Sequence, residues 1–156
     1  MIDEVRGEAG IRQLHARYAD AVFRKDFAAF GDCFTADAVW ILGAHKLHGR
    51  RECVAFLEDR IRDSHWVLLT FHTPILQFAA GSAQGRTYVT EQKAYRNAPA
   101  SHNMATYYER FVEQSGAWRR AWAFFQLHYM GPGNLSGTFF QSADYGPPPG
   151  MPAPEM

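Results

Sequence analysis

The 156-residue chain reads as an α+β protein, a cone-shaped, curved antiparallel sheet wrapped around helices and enclosing one pocket. Three observations predict this. Two short amphipathic helical segments come first and end in Phe34-Thr35-Ala36-Asp37-Ala38-Val39-Trp40. His48-Gly49-Arg50-Arg51-Glu52 then opens a third helix. Four long strand-like runs follow, the last beginning Gly116-Ala117-Trp118-Arg119.

On the first segment Ile11, Leu14, His15, Tyr18, Val22 and Phe23 fall on one helical stripe, and Arg12, Arg17, Arg24 and Lys25 fall away from it. Asp26 is placed to cap a second helix carrying Phe27, Phe30 and Phe34. Thr35-Ala36-Asp37 reads as a turn and Val39-Trp40-Ile41-Leu42 as a short strand. Residues 43–49 read as a loop or hairpin. A third helix over about 50–62 points Val54, Leu57 and Ile61 inward. The β half is read as runs over 66–78, 86–95, 104–113 and 118–130, separated by turns at 79–82 and 114–116 and a loop at 97–101. One domain over 1–135 and a Pro-rich arm over 136–156 follow. Pro147, Pro148, Pro149, Pro152 and Pro154 bar a helix or inner strand there and predict an extended or disordered arm, with the pocket mouth or a partner subunit as candidate resting places.

Composition narrows the function. Formal net charge is +0, which supplies no electrostatic footprint for nucleic acid or an anionic membrane. No apolar run approaches the roughly 18 residues of a membrane span, and the start, Met1-Ile2-Asp3-Glu4, lacks the apolar region of a secretion signal. The expectation is a cytoplasmic protein. Cys33 and Cys53 are too few for a disulfide framework and read as buried free thiols. His45, His48, His65, His102 and His128 lack metal-ligand spacing, and phosphate loops and nucleotide fingerprints are missing, so neither metal nor cofactor is expected. Aromatic residues make up 15% of the chain, which suits either a plain core or a cavity for a flat ligand.

The order of these pieces resembles the SnoaL-like branch of the nuclear transport factor 2-like superfamily. Tyr18-Ala19-Asp20 with Asp26-Phe27, the segment from Phe34 to Trp40, and His48-Gly49-Arg50-Arg51-Glu52 carry the likeness. So do Thr73-Pro74-Ile75, Gly85-Arg86-Thr87-Tyr88-Val89, and Gly116-Ala117-Trp118-Arg119 with Tyr129 closing the last strand. The resemblance reaches to about Gly131 and implies the cone fold. It does not fix the chemistry. Relatives include dehydratases such as scytalone dehydratase, dehydrochlorinases, polyketide cyclases, ketosteroid isomerases and epoxide hydrolases, and some members only bind. Scytalone dehydratase and hexachlorocyclohexane dehydrochlorinase use an Asp late in the first helix and a His early in the first long strand. Here those positions fall on Phe23 and near Leu68, and the dehydrochlorinase's strand Arg falls on Ala123. That dyad is absent.

Strand parity supplies other candidates, since residues two apart share a face. In the family register the cavity face takes His72 on the first run, Glu91, Lys93 and Tyr95 on the second, and Tyr107 and Glu109 on the third. The fourth contributes Ala123, Phe125, Leu127 and Tyr129. His72, Glu91 and Tyr107 form the catalytic expectation: an imidazole base held by a carboxylate, with a phenol donating to a developing enolate or oxyanion. Tyr18, Phe23, Trp40, Leu68, Lys93 and Phe125 are the expected substrate-binding residues. Plainer readings stand beside these. His72 can bond backbone at a strand irregularity, and Glu91 can pair with Arg86 or Lys93. Tyr107 can be a core tyrosine, and Asp20 can partner Arg17 or Arg24.

The leading expectation is a cofactor-independent lyase, isomerase or cyclase acting by general acid–base chemistry on a small aromatic or polyketide-like molecule. An epoxide hydrolase-like enzyme using Glu91, Lys93 and Glu109 is one alternative. A non-catalytic small-molecule-binding protein is another. A homodimer is expected through the outer sheet face, where Trp122 and Phe124 want cover.

Overall fold

A computed structural model of the chain describes residues 2–140, 148 and 150–153. Helix α1 (Ile2–Arg24) buries Ile11, Leu14, His15, Tyr18 and Val22, the stripe read from its periodicity. It ends at Lys25, whose positive φ of 55° turns the chain. The Asp26 carboxylate accepts the Ala29 N–H at 3.0 Å and starts α2 (Phe27–Asp32). Strand β1 (Phe34–Leu42) and β2 (His45–His48) form a hairpin. The Glu52 carboxylate then reaches back to the His48 N–H at 2.7 Å and fixes the start of α3 (Gly49–Ile61). Arg50 donates to the Phe34 carbonyl through Nε and Nη2, tying α3 to β1.

The β half comprises β3 (Ser64–Phe71), β4 (Ile75–Ala79), β5 (Ser82–Tyr95), β6 (Ser101–Gln114), β7 (Ala117–Gly131) and β8 (Thr138–Phe139). The sheet order is β2-β1-β7-β6-β5-β3, with β4 also on β5 and β8 also on β7. The sheet curves around α1 and α3 to make the expected cone. Its core holds Phe30, Phe34, Phe111 and Ile11, each fully buried. Burying one such side chain contributes about 1.5–3 kcal/mol.

Three local readings are corrected. The sheet is mixed, because β1 runs parallel to β7. No turn joins these two strands, so nothing forces them antiparallel. Thr35-Ala36-Asp37 lies inside β1, where the pairing with β7 shifts between Phe34 and Val39, so the segment is an irregular strand rather than a turn. The run over 66–78 is two strands, broken at 72–74 around Pro74, which cannot donate to a ladder. The end of the expected arm over 136–156 is described only in part: Thr138–Phe139 adds β8 beside Tyr129 and Met130, and the remaining prolines fall largely outside the described residues.

Among the described residues no helix is long and apolar enough to cross a membrane. Cys33 and Cys53 are free and buried, and burial pushes the Cys53 thiol up to about 11.

Candidate active site

The cone encloses a cavity of about 210 Å³ between α1, α3 and the concave face of the sheet. Its wall is largely aliphatic and aromatic, with Val22, Leu57, Val67, Leu69, Phe125 and Leu127. Into this wall project Tyr18 from α1, Glu91 and Lys93 from β5, Asn103 and Tyr107 from β6, and Trp40 from β1. Alternation along β5 and β6 sends these side chains inward, while Gln92 and Met104 point out.

Glu91 is held in place. Lys93 Nζ lies 3.5 Å from its Oε1, and Asn103 Nδ2 donates to the same oxygen at 3.3 Å. Ser101 Oγ donates to Asn103 Oδ1 at 2.8 Å, which orients the amide so that its NH₂ faces Glu91. The same cavity is lined by two phenols, the Tyr18 and Tyr107 oxygens 3.4 Å apart. Burial pushes the Tyr107 phenol up to about 12 and Tyr18 well above its ordinary value. Both therefore stay protonated and act as hydrogen-bond donors. The Trp40 indole N–H is buried at the cavity wall beside the Tyr107 hydroxyl.

Beneath these phenols lies a polar cluster that the sequence reading did not assemble. Glu109, fully buried, accepts from His15 Nε2 at 3.0 Å, from Thr87 Oγ1 at 3.0 Å and from Arg120 Nη2. Burial alone would raise the Glu109 carboxyl. Arg120, His15 and Thr87 outweigh it and hold the group down at about 2. The Arg120 guanidinium is sandwiched between the Tyr18 and Tyr107 rings, 4.4 Å from each centroid. His15 stacks on Phe71 with ring centroids 4.4 Å apart. The cluster does not line the cavity. It fixes the two phenols from below.

The structure brings together Tyr18, Trp40, Glu91, Lys93, Tyr107 and Phe125 of the expected residues. It separates the other three. His72 is exposed just beyond the end of β3, lines an outer cleft with Arg12 and His15, and donates its backbone N–H to the Tyr88 carbonyl at 2.9 Å. Glu91 pairs with Leu69, so the expected His72–Glu91 contact does not form. Inward parity on β3 belongs to Val67, Leu69 and Phe71, which turns Leu68 outward at 40% exposure. Phe23 is also outside, packed 6.1 Å from Trp66. Glu109 shares the inward face of β6 but sits below the cavity floor. Its engagement by three partners removes it from the acid pair that an epoxide hydrolase-like reading needs.

A family model described as a SnoaL-like domain matches residues 3–121. The chain belongs to the SnoaL-like domain family. This SnoaL-like protein also shares its fold with solved structures. One is a hexachlorocyclohexane dehydrochlorinase, LinA Type2, at 19% identity and TM-score 0.77, covering 96% of this chain and 99% of that one. A second is a protein of Novosphingobium aromaticivorans DSM 12444 provisionally described as a scytalone dehydratase, at 15% identity and TM-score 0.79, covering 98% and 100%. A third is the LinA-type3 dehydrochlorinase of Novosphingobium barchaimii LL02, at 17% identity and TM-score 0.75, covering 91% and 99%. At these identities the likeness establishes the cone fold and no more. No curated protein sequence matches the chain significantly.

His15, Thr87, Asn103 and Arg120 were missed by the sequence reading. His15 had a signal, a polar side chain on an otherwise apolar helical stripe, which calls for a buried partner. Arg120 had a weaker one: in Arg119-Arg120 one side chain of the two must face inward.

Proposed function

We propose that this SnoaL-like protein is an enzyme, a lyase, isomerase or cyclase that works without a cofactor on a small aromatic or polyketide-like molecule. One observation carries the reading: a fixed carboxylate, Glu91, and two protonated phenols line one cavity whose wall is otherwise mostly apolar. In this arrangement Glu91 removes a proton next to a substrate carbonyl. Tyr18, Tyr107 and the Trp40 N–H donate to the oxygen that gains charge. The protonated carboxyl then returns its proton to another carbon, or to a departing oxygen, which gives isomerisation or dehydration. Lys93 and Asn103 keep the carboxylate in register, and Phe125 packs against the Tyr107 ring at 5.0 Å. His72 has no part in this scheme.

An apolar cavity of about 150 Å³ takes up benzene, so about 210 Å³ suits one ring with a short arm. The same reading treats the protein as cytoplasmic and homodimeric. Trp122, expected to need cover there, is already buried within the chain at 6% exposure, whereas Tyr88, Met104, Trp66 and Leu68 are partly exposed on the outer sheet face, where a second subunit would cover them.

A turnover screen by mass spectrometry over small aromatic ketones, hydroxyketones and epoxides tests the reading, with wild type beside Glu91→Gln. Turnover that falls at least about a hundredfold in the variant supports it. Binding without turnover moves the protein to the non-catalytic class. Incorporation of labelled oxygen from water would instead support hydrolysis of an epoxide.

A further inference from the structure

We propose that the substrate carries a carboxylate, held at the cavity mouth by Arg60. The proposal rests on the reading of the cavity as an acid–base site and names the class of molecule it accepts.

Arg60 comes from the last turn of α3, lines the cavity and is itself exposed, which places it at the opening. Its guanidinium is already positioned. Nη2 donates to His45 Nε2 at 2.8 Å, and Cζ lies 4.9 Å from the Phe56 ring centroid. The His45 ring in turn packs 5.0 Å from Phe56. An imidazole and a phenyl ring thus hold the cation, and among the described residues no carboxylate lies within ion-pair distance of it. A guanidinium held this way keeps its remaining N–H groups for a planar acceptor, and a carboxylate fits that fork.

Charge balance points the same way. The cavity's charged side chains are Arg60, Lys93 and Glu91. Lys93 pairs with Glu91, so one positive charge is left over, at Arg60. The buried Glu109–Arg120 pair below adds no excess. A monoanion neutralises the site, whereas a neutral molecule leaves Arg60 facing water. The acceptor end of the molecule goes deeper, where the Trp40 N–H and the Tyr18 and Tyr107 hydroxyls lie. The substrate class is therefore a one-ring acid bearing a second oxygen, a ketone or hydroxyl, away from the carboxylate. This fits the cavity volume of about 210 Å³.

Calorimetric binding of 3- and 4-acetylbenzoate, each beside its matching acetylbenzamide, tests the assignment. The proteins are wild type, Arg60→Gln and Tyr107→Phe. In wild type at least one acid binds at least about tenfold tighter than its amide, the scale of one charge-assisted hydrogen-bonded contact. Arg60→Gln erases the difference and leaves the amide's affinity in place. Tyr107→Phe weakens acid and amide alike. Equal affinity of acid and amide in wild type overturns the proposal, as does a preference that survives Arg60→Gln. If amide binding still depends on Tyr107 in those cases, the acid–base reading of the cavity stands without the carboxylate. Failure of all four molecules to bind overturns both.

Discussion

Glu109 on β6 and Arg120 on β7 form an ion pair with both side chains almost wholly out of solvent. Desolvating two charges is costly, and the pair is offset by hydrogen bonds from His15 and Thr87 and by the tyrosine rings on either face of the guanidinium. Removing one charge leaves the other buried and uncompensated. Glu109→Gln is expected to cost about 3–5 kcal/mol of stability in urea denaturation. A variant as stable as wild type would show that the pair contributes nothing.

The same carboxyl predicts a pH dependence. Its folded value is held down at about 2, against about 4.3 for an unfolded glutamate. A depressed carboxyl stabilises the fold fully above the unfolded value and loses that contribution as pH falls toward the folded one. Wild type is therefore expected to lose urea stability between about pH 4.3 and pH 2 more steeply than Glu109→Gln. Parallel curves for the two proteins would contradict this.

Tyr107 sits above this pair, and its phenol is pushed up to about 12. It is therefore a donor across the working pH range. Tyr107→Phe is expected to lower kcat by about 10²–10³, the cost of removing one donor to a developing oxyanion. Ultraviolet titration of tyrosinate should show no Tyr107 signal lost in the variant below about pH 10. A Tyr107 that ionises near pH 8 would mean a phenolate base instead.

How much of this was legible in the sequence depends on the strand. On β5, β6 and β7 the family register put Glu91, Lys93, Tyr107 and Phe125 on one face, and all four line the cavity. On β3 the run Trp66-Val67-Leu68-Leu69 is apolar on both parities. Nothing in it says which face is inward, and the count that set His72 and Leu68 inside also ran through the break at Pro74. The dyad positions counted onto Phe23 and Leu68 lie outside the cavity, so that count did not land on cavity-facing residues. The Glu109 cluster joins residues from α1, β5, β6 and β7, and no local spacing announces such long-range convergence.

The thiols should be inert. Cys53 is buried with its thiol raised to about 11, and burial raises Cys33 as well. Both are expected to react with a maleimide only after unfolding, as counted by mass spectrometry. Rapid labelling of the native protein would contradict their placement.

Gly85 is where β4 closes on β5. A Cβ there would stand 1.9 Å from the Ile75 carbonyl oxygen, a backbone atom that cannot swing aside. Gly85→Ala is expected to destabilise the fold by about 1–3 kcal/mol, read as a lower urea midpoint. An unchanged midpoint would mean that the β4–β5 pairing yields freely.

The central claim is that Glu91 moves a proton inside the cavity. It is tested most directly by nuclear magnetic resonance of α-hydrogen exchange into deuterated water, with 3- and 4-acetylbenzoate and their amides as probes. Wild type is expected to accelerate exchange over buffer. Glu91→Gln should lose at least about a hundredfold of that acceleration, and His72→Ala should keep all of it. Exchange that survives Glu91→Gln, that disappears with His72→Ala, or that never exceeds buffer would contradict the account.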